Sequence, residues 1–127
     1  MAFLHFKAIS QALAFYSKQD FEDFFQTLIK ELNIYAIKLL NAENEDFCFQ
    51  ILSQCDQWTQ PGTFGNHPDL RIFIYNHFGC YYRRLENLEL ALSFLMKALK
   101  LLNVSQNEHY LGLTHMNIAA VLSHLGE

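Results

Sequence analysis

Apolar residues recur every three or four positions along almost the whole chain, which is the spacing of amphipathic helices. The pattern predicts a first helix over residues 3–18 and a second that follows Asp20, its predicted N-cap, to about residue 40. Further helices are predicted at roughly 45–58, 69–85, 88–102 and 108–125. No segment alternates as a strand does, so the chain is predicted to be all-α. The stripe of the first helix consists of Phe3, Phe6, Ile9, Leu13 and Tyr16.

Short polar segments separate these helices and indicate antiparallel hairpins. The sequence NAENED at 41–46 breaks the second helix from the third, and NVSQNE at 103–108 separates the fifth from the sixth. The one clear loop is TQPGTFGNHPD at 59–69, which is rich in residues that favour turns. Its Pro68 suits the first turn of the helix that follows.

The chain also repeats itself. With an offset of 43 residues, the segment 87–102 aligns with 44–59, and small residues fall on small residues. A small side chain lets a partner helix approach closely, and a leucine between two small residues fills the space between turns. The matched positions of these second helices are Ala91 with Cys48, Leu95 with Leu52, and Ala98 with Cys55.

The first helices of the hairpins repeat in the same way. The offset of 43 places Gly79 on Ala36 and Tyr82 on Leu39, while an offset of 41 places Gly79 on Ala120. One hairpin cannot bury its own apolar face, so units of this kind are expected to stack.

The segment 69–102 resembles a tetratricopeptide repeat (TPR). That family places Gly or Ala and then an aromatic residue on its first helix, followed by Ala, a large apolar residue and Ala on its second. The residues here are Gly79, Tyr82, Ala91, Leu95 and Ala98. The spacing of 41–43 is longer than the usual repeat and is similar to that of kinesin light chains.

This resemblance implies a right-handed solenoid of stacked antiparallel hairpins. Residues 29–59 would form a degenerate TPR, 60–68 a loop, 69–102 a TPR, and 108–127 the first helix of an incomplete further repeat. Residues 1–28 would be an N-terminal helical cap or a degenerate hairpin.

The resemblance also implies a function without catalysis, as a scaffold that binds a peptide or a partner protein in a concave groove. In similar arrays, asparagines on the first helices bond the backbone of an extended peptide, because an amide both donates and accepts. Asn33, Asn76 and Asn117 each lie three residues before a small residue and are the candidates here. The alternative is that these side chains bond to neighbouring helices or turns.

Four side chains, two arginines and two histidines, are further groove candidates. Arg83 and Arg84 end the fourth helix, where they either favour the helix dipole or meet an acidic group of a ligand. His77 and also His124 could face the groove. The carboxylate-clamp members of the family would have Lys at the position of Asn76. We therefore do not expect this chain to bind chaperone tails as they do.

Composition excludes several other functions. The chain is 51% hydrophobic, with a net charge of -4, which argues against nucleic-acid binding. No apolar run is long enough to insert into a membrane. The His and Cys spacings match no metal motif, and no phosphate-binding loop or catalytic pattern occurs, so we expect no cofactor and no enzyme. Three cysteines indicate a reducing compartment, most simply the cytoplasm.

The sequence is also compatible with a second function, which follows from the last predicted helix. The helix at 108–125 lacks a partner that would cover Met116, Ala119, Ala120 and Leu122, so the array is expected to continue into further TPRs or to pack on another chain through 108–127. In this alternative the protein is a purely structural subunit of a larger assembly, cytoskeletal or motor-associated, and its groove is unused.

Overall fold

The computed structural model describes residues 2–13, 18–105 and 107–126, without the side chains of 2–4, 6, 12 and 13. The described residues form six helices and no strand, which confirms the all-α prediction. The helices are α1 (Ala2–Leu13), α2 (Lys18–Asn41), α3 (Glu45–Trp58), α4 (Pro68–Arg84), α5 (Leu88–Ser105) and α6 (Glu108–Leu125).

The N-terminal region differs in part from its prediction. Asp20 is not the N-cap of α2 but lies in its first turn, where a carboxylate stabilises the positive end of the helix dipole. The predicted boundary between residues 28 and 29 falls inside α2, which is continuous there. In the stripe predicted for the first helix, Ile9 packs against the core. Tyr16 and the side chains of Phe3, Phe6 and Leu13 lie outside the described residues.

Helix α2 begins before the repeat predicted at 29–59, and its first turns pack against the long loop at 59–67. The Phe64 ring lies 5.9 Å from Phe21 and 5.4 Å from Phe25, measured between centroids. The His67 ring lies 4.8 Å from Phe25. His67 is buried, and its Nε2 lies 2.8 Å from the carbonyl oxygen of Phe64. Aromatic packing therefore anchors the middle and the C-terminal end of the loop to α2.

Helices α2 and α3 form hairpin 1, and α4 and α5 form hairpin 2. Their turns correspond at the offset of 43 predicted from the sequence: Glu43 and Glu86 both take the left-handed conformation, with φ of 63° and 62°. Such a φ costs a residue with a side chain about 1 kcal/mol, so its recurrence marks the same turn twice. The bonds that close the turns also correspond, from Asn44 N–H to Leu39 O (2.8 Å) and from Asn87 N–H to Tyr82 O (2.9 Å).

The two helices of each hairpin pack against each other at the small residues. Leu95 is fully buried, and a Cβ added to Gly79 would lie 2.7 Å from Leu95 Cδ2 and 2.8 Å from its Cγ. Gly79 is therefore required for α5 to lie this close to α4. The other small or leucine positions of the two hairpins have no exposed surface: Ala36, Cys48, Leu52, Cys55, Ala91 and Ala98.

Helix α4 is the centre of the molecule, because it contacts α2, α3, α5 and α6. Phe78 shows how it joins them. Its ring lies 6.3 Å from Phe49 of α3 and 4.7 Å from Phe94 of α5. Helix α6 lies against α4 and α5, and its Val121 is buried in a cluster with Ala91 and Leu95.

Substitution of Gly79 by Ala tests the tight contact. The new methyl group would push Leu95 out of place, at a cost that exceeds the gain in helix propensity, so the free energy of unfolding should fall by about 1 kcal/mol. Gly112→Ala in α6 is the matched control, because nothing lies within 4 Å of the added Cβ. It should raise the free energy of unfolding by about 0.5–1 kcal/mol in urea denaturation. Equal stabilisation by both changes would contradict the close packing.

Candidate functional site

The predicted site residues lie on the first helices, α2, α4 and α6, where α4 is flanked by the other two. Asn76 of α4 is fully buried between them. Its Nδ2 donates to the carbonyl oxygen of Ile72 at 3.0 Å and to Thr114 Oγ1 at 2.8 Å. Its Oδ1 accepts from Asn117 Nδ2 at 2.8 Å. The Asn76 amide therefore joins α4 to α6 with both of its polar atoms.

Asn33 has the same role between α2 and α4. It is also fully buried, and its Nδ2 donates to the carbonyl oxygen of Ile29 at 2.8 Å. Its Oδ1 accepts from His77 Nδ1 at 2.9 Å, so Nδ1 carries the proton of the imidazole. Two polar connections, Asn33–His77 and Asn76–Asn117, thus run from one first helix to the next. We call them the amide ladder.

The amide ladder corrects the sequence prediction for two of the three asparagines. Asn33 and Asn76 have no exposed surface, so neither can contact a peptide in this conformation. The structure supports the alternative, in which the asparagines bond to neighbouring helices. The physical reason is that α4 packs on α2 and α6 packs on α4, which covers Asn33 and Asn76 between neighbouring first helices. Asn117 is half-exposed, because no helix among the described residues covers its outer side.

His77 remains at the surface only in part. It is half-buried, and its ring meets Phe73 edge-on at 4.4 Å. Burial lowers the pKa of His77 to about 4, because the charged imidazolium loses hydration there. His77 is therefore a neutral, positioned part of the ladder rather than a free cation of a groove.

Arg83 and Arg84 line a pocket of about 390 Å³ to which all three first helices contribute. Asn41 comes from α2 and His124 from α6. The Arg84 Nη1 donates to Asn41 Oδ1 at 3.4 Å, and neither arginine forms an ion pair with any of the residues described. We call this surface the basic pocket. It brings together two of the predicted groove residues and His124.

The location of Arg83 and Arg84 also has an explanation that requires no ligand. The last turns of α2, α4 and α6 supply the pocket, and helix C-termini carry partial negative charge that cations stabilise. Glu86, at the rim, adds a carboxylate. Burial raises the pKa of the neighbouring Cys80 thiol, and Arg83 partly offsets this. The helix C-termini and Glu86 therefore balance part of the positive charge of the two arginines. An anionic group that enters the pocket must compete with these interactions.

One buried charge was missed by the sequence interpretation. Arg71, in the second turn of α4, is only 8% exposed, and its Nη2 lies 3.2 Å from Asp56 Oδ1 of α3. Its Nη1 donates to Thr59 Oγ1 at 3.4 Å, and its guanidinium lies 5.0 Å from the Tyr75 ring centroid. Its position between Leu70 and Ile72, in an apolar stretch, could have indicated it. Arg71 ties α3 to α4 and is not accessible to a partner.

The described residues offer little other chemistry. No three His, Cys, Asp or Glu side chains among them are placed to hold a metal ion. Within the same residues, no helix has both the length and the apolar character to cross a membrane. Burial raises the pKa of Cys48 to about 11 and that of Cys55 to about 12, where Asn33 partly offsets the effect, so both thiols are protonated at neutral pH.

Comparisons with known proteins add no family. No protein-family model, curated protein or solved structure matches the chain. The interpretation of the site therefore rests on its geometry.

Asn76→Ala tests the ladder. It would leave the Thr114 hydroxyl and the Asn117 amide without their partner, so we expect the free energy of unfolding to fall by about 2–3 kcal/mol. Asn103→Ala, an exposed asparagine of α5, is the control and should stay within about 0.5 kcal/mol. The measurement is chemical denaturation. A loss at Asn76 no larger than at Asn103 would contradict the buried network.

His77 gives a pH dependence of known sign. Its pKa is lowered to about 4 from 6.5, so the unfolded chain binds more protons between these values. The contribution of neutral His77 to the free energy of unfolding is fully present above pH 6.5. It falls as the pH drops towards 4, by up to about 1.4 kcal/mol per pH unit. His77→Gln should remove this part of the slope, whereas the exposed His115→Gln should keep it. Parallel stability curves for wild type and His77→Gln would contradict the assignment.

Proposed function

We propose that this protein is a TPR-like interaction module, a right-handed stack of antiparallel hairpins that binds a partner polypeptide without catalysing a reaction. The observation that carries the proposal is the basic pocket, which three successive first helices build together. Hairpins that stack in register would produce such a surface. The recurrence of the turns at Glu43 and Glu86 supports that register.

The binding surface we propose is narrower than the groove expected from the sequence. Arg83 and Arg84 are its main contacts, because they lack ion pairs among the described residues and can donate to acidic groups of a partner. Asn117 supports them through its exposed part. His77 contributes shape more than charge, since its pKa is low.

A cytosolic setting fits the same proposal. Cys48, Cys55 and Cys80 are all free thiols, and burial raises the pKa of each. Cysteines that form no disulfide are typical of proteins in a reducing compartment.

A purely structural role, as a subunit of a cytoskeletal or motor-associated assembly with the groove unused, is favoured by a different observation. Helix α6 exposes large apolar side chains, with Met116 72% and Leu122 52% accessible. Exposed apolar patches mark interaction surfaces. In this role the partner would cover α6 and leave the basic pocket open.

Peptide selection separates the two roles. Peptides are selected from a random 12-residue library on the immobilised wild-type protein, and their affinities are then measured for Arg83→Gln/Arg84→Gln. We expect the Kd to rise at least tenfold, which corresponds to about 1.4 kcal/mol for lost charge-assisted hydrogen bonds. The matched control is Lys97→Gln/Lys100→Gln, which removes the same charge from α5. Selected peptides that bind both double variants equally would contradict binding in the basic pocket.

A further inference from the structure

Helix α4 carries a strip of side chains that begins in its second turn and ends in the basic pocket. Phe73, Cys80 and Arg84 follow one another at intervals of seven and four residues, which places them on one face of the helix. Phe73 and Cys80 are half-buried, and Arg84 is exposed. Because Cys80 and Arg84 also line the basic pocket, the strip connects that pocket to the N-terminal half of α4.

The neighbouring first helices border this strip on both sides. On the α2 side, His77 of α4 bonds to Asn33, and Ile37 lines the basic pocket. On the α6 side, the Tyr110 ring lies 5.9 Å from the Phe73 ring, measured between centroids. We call the strip and these borders the first-helix groove. It lies on α4 between two other helices of the chain.

The end of the first-helix groove away from the basic pocket consists of aromatic rings beside a carboxylate. Phe73 meets His77 edge-on at 4.4 Å, and its ring is tilted by 35° against that of Tyr110, which is half-buried. Burial raises the pKa of Tyr110, and the nearby carboxylate of the exposed Asp69 raises it further. Since burial lowers the pKa of His77 to about 4, its imidazole adds no positive charge here at neutral pH.

The two ends of the groove therefore differ in the charge that they favour. At one end Arg83 and Arg84 can donate charge-assisted hydrogen bonds to a carboxylate. At the other end the faces of Phe73 and Tyr110 attract a cation through their quadrupoles, and Asp69 supplies the opposite charge. A guanidinium suits that end best, because it stacks on an aromatic ring and also donates to a carboxylate.

We infer that the first-helix groove binds a partner segment that carries both an acidic residue and an arginine. The acidic side chain lies in the basic pocket, and the guanidinium lies against Phe73 and Tyr110 and pairs with Asp69. This inference rests on the proposed function, because the basic pocket is one end of the site. It adds a second contact of opposite charge, which defines the class of partner more narrowly.

The length of the groove sets the spacing of the two partner residues. Phe73 lies ten residues before Arg83 on the same helix, so the two ends are separated by about 15 Å at a rise of about 1.5 Å per residue. An extended segment advances by about 3.3 Å per residue. The acidic residue and the arginine of the partner are therefore four to six positions apart. An arginine next to the acidic residue cannot reach the aromatic end.

The probes are the peptides selected from the random 12-residue library on the wild-type protein. Among those whose binding is weakened by Arg83→Gln/Arg84→Gln, an arginine four to six positions from Asp or Glu should be more frequent than in the unselected library. Replacement of that arginine by glutamine in the peptide should raise the Kd at least fivefold in fluorescence anisotropy. Moving the arginine next to the acidic residue should have the same effect.

A protein variant locates the arginine contact. Asp69→Asn should raise the Kd of the arginine-containing peptide at least fivefold and leave that of its glutamine version unchanged. Glu108→Gln is the matched control and should change neither Kd. Asp69 and Glu108 are both exposed in the first turn of a first helix, so both changes remove the same interaction with a helix dipole. Glu108, however, lines a separate cavity between α5 and α6.

Reversal of the charges gives a stricter test. Asp69→Lys should bind a peptide with glutamate at the arginine position more tightly than the original peptide, because the pair is then restored with opposite signs. Circular dichroism should show the same helix content for this variant and the wild type, since residue 69 is exposed. An unchanged preference for arginine would contradict a contact with Asp69.

The outcomes separate this inference from the proposed function. Peptides that require Arg83 and Arg84 but bind Asp69→Asn as tightly as the wild type overturn the inference and leave the proposed function in place. A selection that yields no peptide dependent on the two arginines overturns the proposed function, and the inference with it.

Discussion

The contact between Gly79 and Leu95 sets the distance between α4 and α5, and the rest of the structure depends on that distance. Leu95 occupies the space that a Cβ of residue 79 would need. With the two helices this close, Ala91 and Ala98 are fully buried on either side of the leucine. Hairpin 1 repeats the arrangement with Ala36 and Leu52. The small residues therefore act as spacers that determine how near each helix can lie.

The contacts between neighbouring first helices bury the amides. A side chain three residues before the spacer is covered by the adjoining first helix, and a covered polar group must be hydrogen-bonded. Asn33 and Asn76 meet this requirement through His77, Thr114 and Asn117 on the next helix. A buried amide that finds its partners in one alignment only also disfavours other alignments of the helices. The ladder thus contributes to the alignment of α2, α4 and α6 as well as to the stability of the protein.

Sequence periodicity predicted most of the secondary structure, because helical burial repeats every three or four residues. It located the hairpins and the offset of 43, which the turns at Glu43 and Glu86 share. Local pattern was less informative at the start of α2, where packing against Phe64 and His67 of a distant loop extends the helix. It also gave no direct sign of the pairing between Arg71 and Asp56, since a side chain's partner across helices has no fixed spacing.

The recurrence of asparagine before each small residue was visible in the sequence, but its meaning was not. An amide suits a bound peptide and a neighbouring helix equally well, so residue type alone leaves both options open. By itself the sequence determined the helices, the spacers and the repeat, because each depends on local spacing. Only the tertiary structure decided that Asn33 and Asn76 face a neighbour while Arg83 and Arg84 face a pocket. Burial and hydrogen-bond partners depend on how close separate helices lie, and that distance is a property of the packed molecule.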